Sequence, residues 1–177
     1  SDKEWENFDA AQQKATDKME AAATKLETKA EKLDSKDKSG GDELRAKAGA
    51  LRSGVTALRS TSVHAGIIAV QVDAATYQGS VCRGQAEGAA LVMQLNLGTV
   101  IVNRENFYKL PSTWNIGHES LHSGGIVGHQ KGSNGETAYE FGRPEQRAAF
   151  FELKWTQKAR LNTDHLMEDI YPNYKGP

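Results

Sequence analysis

The chain has a single cysteine, Cys82, in 177 residues, so no internal disulfide can form and the fold does not depend on oxidation. It has no apolar run long enough to cross a bilayer and no charged-then-apolar opening of a secretory signal. Neither a transmembrane segment nor a signal peptide is therefore expected. Charge excess is also missing: 22 Lys and Arg stand against 23 Asp and Glu, a formal net charge of −1, which gives no electrostatic case for nucleic acid. The first 60 residues contain no histidine, and Asp2 to Leu33 contain neither Gly nor Pro. The charged start without an initiator Met suggests a piece of a longer protein.

What the first 60 residues do contain is helical periodicity. Trp5, Phe8, Met19, Ala22, Leu26, Ala30 and Leu33 recur mostly at steps of three and four or their sums, which predicts an amphipathic helix with a narrow apolar stripe. Ser35 to Gly41 is a polar turn. Leu44, Ala48, Leu51, Val55 and Leu58 then repeat with 4-3-4-3 spacing, a second helix whose stripe can face the first in an antiparallel hairpin. The many Ala contacts imply modest burial. Charges of both signs on the polar faces argue against a membrane-active helix.

Beyond Thr61 the pattern changes. Val63 to Val72 is rich in β-branched residues, Thr76 to Cys82 can pair with it, Leu91 to Leu97 alternates apolar and polar, and Thr99 to Val102 is a further β-branched run. Short linkers favour antiparallel pairing. The expected fold is therefore α+β: a small, mostly antiparallel sheet preceded by a helical hairpin. Residues 1–60 are the hairpin, a packing or delivery element, and residues 61–177 the domain that carries the sheet. A sheet edge beside the motif helix described next would suit an extended substrate.

The chemistry concentrates in His118-Glu119-Ser120-Leu121-His122, an H-E-x-x-H motif. On a helix the two His lie one turn apart on one face and can share a Zn²⁺, while Glu119 can act as general base towards a metal-activated water. The surroundings support a helix. Pro111-Ser112-Thr113 supplies a start, Trp114, Ile116 and Leu121 supply apolar contacts, and Ser123-Gly124-Gly125 supplies an end. The competing reading is a surface helix with two incidental His. Downstream, residues 129–136 form a polar loop and Ala138 to Phe141 a short extended piece. Pro144 opens a helix over Glu145 to Ala159, and Asn162 or Thr163 caps a last helix over Asp164 to Ile170.

A third metal ligand must come from this downstream half. His129 completes H-E-x-x-H-x-x-G-x-x-x-H, one residue longer than the metzincin signature. Glu168 offers a carboxylate on a later helix, the gluzincin solution, and is the leading candidate. His129, His165 and Asp164 follow, and Glu145 and Glu152 also lie on a downstream helix. His165, Tyr139 and Tyr171 are candidate donors to a tetrahedral oxyanion. Asp164 could instead simply stabilise a helix N-terminus.

Two resemblances attach to these residues. Ile101-Val102-Asn103, Leu110-Pro111-Ser112-Thr113-Trp114, Gly117 to Ser123, Phe141-Gly142-x-Pro144-Glu145 and Asn162-x-Asp164-His165-Leu166-Met167 resemble the metallopeptidase toxin domains at the C-termini of type VI secretion spike (VgrG-type) and Rhs-type proteins. That likeness spans residues 99–169. It implies His118, His122 and Glu168 on zinc, Glu119 as base, an antibacterial role in a target cell's periplasm, and a cognate immunity protein as partner. Gly135 to Gly142 and Asn162-x-Asp164 are similar in shape to deuterolysin-type aspzincins, although Ala138 stands where that family's liganding Asp is expected. By this likeness Asp164 would lie near the active site. The expected function is a secreted zinc metallopeptidase acting on peptide or protein substrates. The alternatives are a zinc-dependent peptidoglycan amidase or endopeptidase, and a non-catalytic helical interaction module.

Overall fold

In the computed structural model, residues 2–60, 69–72, 93–96, 99–103, 113–124, 128–154, 156, 159 and 162–175 are described. The stretch without Gly or Pro forms α1 (Asp2–Asp34), and the second stripe forms α2 (Gly41–Ser60). Between them the chain reverses through Asp37 at φ 52° and Gly40 at φ 107°, where Lys38 N donates to Leu33 O at 2.9 Å. Gly40 meets that left-handed geometry without steric cost. Met19, Ala22, Leu26 and Ala30 of α1 are buried, as are Ala48, Leu51, Val55 and Leu58 of α2. The side chains of Trp5 and Phe8 lie outside the described residues. Arg52 binds Glu27 across the hairpin with contacts of 2.9 and 2.6 Å, a bidentate pair on an exposed edge.

Among the described residues three further helices follow: α3 (Thr113–Ser123), α4 (Pro144–Leu153) and α5 (Thr163–Ile170). The main core is one cluster running through α1, α2, α3 and α5, with Ile116 and Leu121 from α3 and Leu166, Met167 and Ile170 from α5. Residues 1–60 and the later helices thus share one interior. A smaller cluster of Ala138, Ala149, Phe150 and Leu153 lies between α4 and the loop before it. Helix α4 is shorter than the periodicity suggested. Thr156 N donates to Leu153 O at 2.9 Å, a turn that ends it. Trp155 lies outside the described residues.

The expectation of an α+β fold organised by a mostly antiparallel sheet is overturned. The body of the protein is helical, and the only strand-like pairing among residues whose side chains are described is an isolated bridge between Lys131 and Thr137. The backbone traces three short strands, β1 (Ala69–Val72), β2 (Met93–Asn96) and β3 (Thr99–Asn103), in the order β1-β3-β2. Their pairing is mixed: β2 is antiparallel to β3, but Val70 pairs with Ile101 in parallel register. The tight linker argument holds only for β2 and β3. Residues 73–98 separate β1 from β3, enough chain for a parallel return. The expected partner strand Thr76–Cys82 lies outside the described residues. Burial explains the helical body: among the described residues, the apolar stripes of α1 and α2 pack with α3 and α5. Among the described residues, no helix is long and apolar enough to cross a membrane.

Candidate metal centre

The motif lies on α3, where one turn separates His118 from His122 and their Nε2 atoms stand 3.2 Å apart. The helix stops where Gly124 N donates to Ser120 O at 2.8 Å. The chain then returns through Gly128, whose φ of +72° is the left-handed geometry that favours glycine. His129 follows at once, and its Nε2 comes within 3.3 Å of His118 Nε2. The His122 ring is steeply inclined to both others, at 73° to His118 and 61° to His129. The ligand atoms of His118, His122 and His129 all lie within 4.8 Å of one another, and this group could hold a metal ion.

The residues fit such an ion well. Zn–N bonds of roughly 2.0–2.1 Å at tetrahedral angles place ligand nitrogens about 3.3 Å apart. The measured separations of 3.2 and 3.3 Å match that edge. Without a cation, three half-buried or buried imidazoles would turn their ring nitrogens on one another, which burial makes costly. The electrostatics point the same way. Burial, reinforced by the neighbouring His118 and His129, holds His122 down at about 3. Burial holds His129 down at about 4 against the pull of Asp164. Both rings are therefore neutral at ordinary pH, the form that binds a metal.

Asp164 organises the far side of the rings. Asn162 caps α5, its Oδ1 accepting from Asp164 N at 3.0 Å and its Nδ2 donating to Ala138 O at 3.1 Å. This places Asp164, 2% exposed, in the first turn of α5, where the helix dipole favours a carboxylate. Its Oδ2 accepts from Glu140 N at 2.7 Å. Its Oδ1 lies 3.1 Å from His118 Nδ1 and 3.9 Å from His129 Nδ1. The His118 approach is close but poorly aligned, and no other acceptor serves that nitrogen among the described residues. For His118, burial opposes the proton, but the bond to Asp164 and its charge outweigh burial and raise the pKa. Burial pushes Asp164 up, but the two His and the Glu140 amide outweigh it and lower the pKa. A carboxylate behind ligating imidazoles fixes the tautomer that leaves Nε2 free for metal.

Glu119 sits between His118 and His122 in the α3 sequence, and burial raises its carboxyl above the ordinary range. Tyr139 lies on His129 with ring centroids 3.9 Å apart. Burial, then the charges of Asp164 and Glu119, push its phenol up.

The expected third ligand, Glu168, lies apart from these three His. Glu168 is not in the group: its Oε1 accepts from Lys154 Nζ at 2.8 Å and its Oε2 lies 3.7 Å from His165 Nδ1. It is one turn further along α5 than Asp164, about 6 Å along the axis. His165, expected as a catalytic donor, is packed flat on Phe150 with centroids 3.9 Å apart and planes within 9°. Glu152 accepts from Ser133 N and Oγ, and Glu145 is exposed. Tyr171 lies against the main core with Lys18 Nζ 4.7 Å above its ring. Ala138, in the position of the missing aspzincin ligand, is fully buried. Sequence reasoning missed Trp114 as part of the site, although it precedes His118 by the same four residues that separate the two motif His. Comparison with protein families, curated proteins and solved structures yields no match to this chain.

Proposed function

We propose that this protein is a zinc-dependent metallopeptidase that hydrolyses peptide bonds, with His118, His122 and His129 as the metal ligands. The observation that carries this reading is the convergence of three imidazoles on the H-E-x-x-H helix and the loop after it, with His118 Nε2 at a tetrahedral edge distance from both His122 Nε2 and His129 Nε2. A zinc ion held there supplies Lewis acidity, which polarises a carbonyl and acidifies a water towards a pKa of about 7. The chain supplies the rest. Glu119 takes the proton of the attacking water and passes it to the leaving amine. Its raised pKa lets the carboxylate hold that proton between the two transfers. Tyr139 keeps its own proton through the neutral range and is the donor we assign to the developing oxyanion. Asp164 holds the proton on His118 Nδ1 and so keeps Nε2 turned to the metal.

The wider role proposed is that of a secreted antibacterial effector acting in the periplasm and neutralised by an immunity protein. That part rests on the resemblance over residues 99–169. The chemistry is tested with Glu119→Gln. It should keep zinc content and fold while lowering peptide hydrolysis by about 10²–10⁴-fold. Wild-type turnover by this variant would end the peptidase reading.

A further inference from the structure

Asp164 meets the His118 imidazole near one atom only, Nδ1. Contact at one ring atom leaves the ring free to tilt, and a tilt swings Nε2 away from the other two ligands. The structure shows what opposes the tilt. Trp114, one turn earlier on α3, stacks on His118 with centroids 4.8 Å apart and planes 27° from parallel. The same indole stacks on Tyr174, at 5.0 Å and 14°. Phe141 meets Trp114 at 6.0 Å and Tyr174 at 5.3 Å, edge-on to both.

Tyr174 belongs to the segment that follows α5. Its amide donates to Tyr171 O at 3.0 Å, and Tyr171 is packed on the main core. The stack therefore runs from a segment anchored on the core, through Trp114, to a metal ligand. Offset aromatic stacks of this kind add roughly 0.5–1.5 kcal/mol beyond burial and restrict ring orientation.

We infer that Tyr174 and Trp114 are positioning residues of the metal centre: through their stack they hold the plane of the His118 imidazole, so that residues after α5 control metal affinity at a site they do not touch. This rests on the reading of His118, His122 and His129 as metal ligands.

The test is competitive titration of the full chain with Zn²⁺ against a chromophoric chelator. It is paired with the visible spectrum of the Co²⁺-loaded protein and run on wild type, Tyr174→Ala, Tyr174→Leu and Tyr174→Phe. We expect Tyr174→Ala and Tyr174→Leu each to weaken Zn²⁺ binding by about tenfold, as loss of a residue supporting a ligand does. Both should also shift the Co²⁺ bands. Tyr174→Phe, which keeps the ring, should restore both affinity and spectrum. The spectrum reports ligand geometry, which a general loss of stability in the metal-free protein would not alter. If Tyr174→Ala fails to fold, Leu against Phe decides the matter, since both fill the site and only one offers a π face. Unchanged affinity and spectrum in Tyr174→Leu, or equal loss in Leu and Phe, overturns the inference while the metal reading stands. A wild type that binds neither ion overturns both.

Discussion

On the face of α3 that meets the hairpin, Ile116, Gly117, Ser120 and Leu121 are buried beside Met19 and Gly54. On the other, Trp114, His118 and His122 follow one another at four-residue steps and meet the loop carrying His129 and the first turn of α5. The first face is close-packed through small residues. The second holds ionisable rings and a carboxylate that are satisfied only together. One 11-residue helix thus separates scaffold from chemistry by its 3.6-residue period alone. The hairpin lacks histidine but packs against the helix that carries His118 and His122.

The largest effects are expected on the chemical face. His129→Ala should cost more than about a hundredfold in Zn²⁺ affinity, exceeding the effect of losing any residue that merely supports a ligand. Glu168→Ala should leave the stoichiometry near wild type, because that carboxylate is occupied by Lys154. Zinc per protein after dialysis against a mild chelator measures both. Zinc retained in His129→Ala and lost in Glu168→Ala would restore the carboxylate site. Next comes Asp164→Asn, which keeps the shape and removes the charge behind His118 and His129. A weakening of about 10–100-fold is expected, and unchanged affinity would reduce Asp164 to a helix-capping role.

On the scaffold face the currency is stability. A Cβ added at Gly124 would lie 2.7 Å from the Ser53 carbonyl carbon and 2.8 Å from Gly54 N, both backbone. One added at Gly54 would meet the flexible end of Met19 first, at 2.5 Å. Gly124→Ala should therefore destabilise by about 1–3 kcal/mol, and Gly54→Ala by less, because Met19 can move and the Ser53 backbone cannot. Chemical denaturation of the metal-free proteins separates the two. A Gly124→Ala protein as stable as wild type would mean that the end of α3 does not need this close approach.

How much of this could be read from the sequence follows from the same division. Met19, Leu51, Val55 and Leu58 announce their burial through local periodicity, and Asn162 announces its cap by residue type. His118, Glu119 and His122 are legible because one helical turn fixes their spacing. The approach of His129 to them is not, because it depends on the left-handed turn at Gly128 and on chain that no periodicity describes. Glu168, four residues beyond Asp164, shares its face of α5 one turn further along, and its pairing with Lys154 is a tertiary contact that spacing cannot show. The sheet misled because pairing is non-local. A β-branched run such as Thr99 to Asn103 marks a strand but carries no information about the direction of its neighbour. Trp114 was legible by spacing and passed over, since it reads as core until its ring is seen against His118.

The smallest effect concerns Glu140, whose amide holds Asp164 while its own carboxyl titrates nearby. Burial first, then the charges of Glu168 and Asp164, raise it from 4.5 to about 7, against the opposing pull of Lys154 and Arg147. The unfolded chain loses this proton near 4.5 and the folded protein only near 7, so between these values the folded state binds more protons and stability falls as pH rises. The cost is absent below 4.5 and complete above about 7. Glu140→Gln removes it: the variant should match wild type at pH 4.5 and exceed it at pH 8. Because Glu140 is half-exposed and screened by solvent, the gain should stay under about 1 kcal/mol. Denaturation of both proteins with chelator present, at steps across this range, reads the difference directly, and the titration of His118 and its neighbours cancels between them. A constant difference at every pH would mean that Glu140 ionises in the folded protein as it does in the unfolded chain, leaving its amide as its only tie to the chemical face.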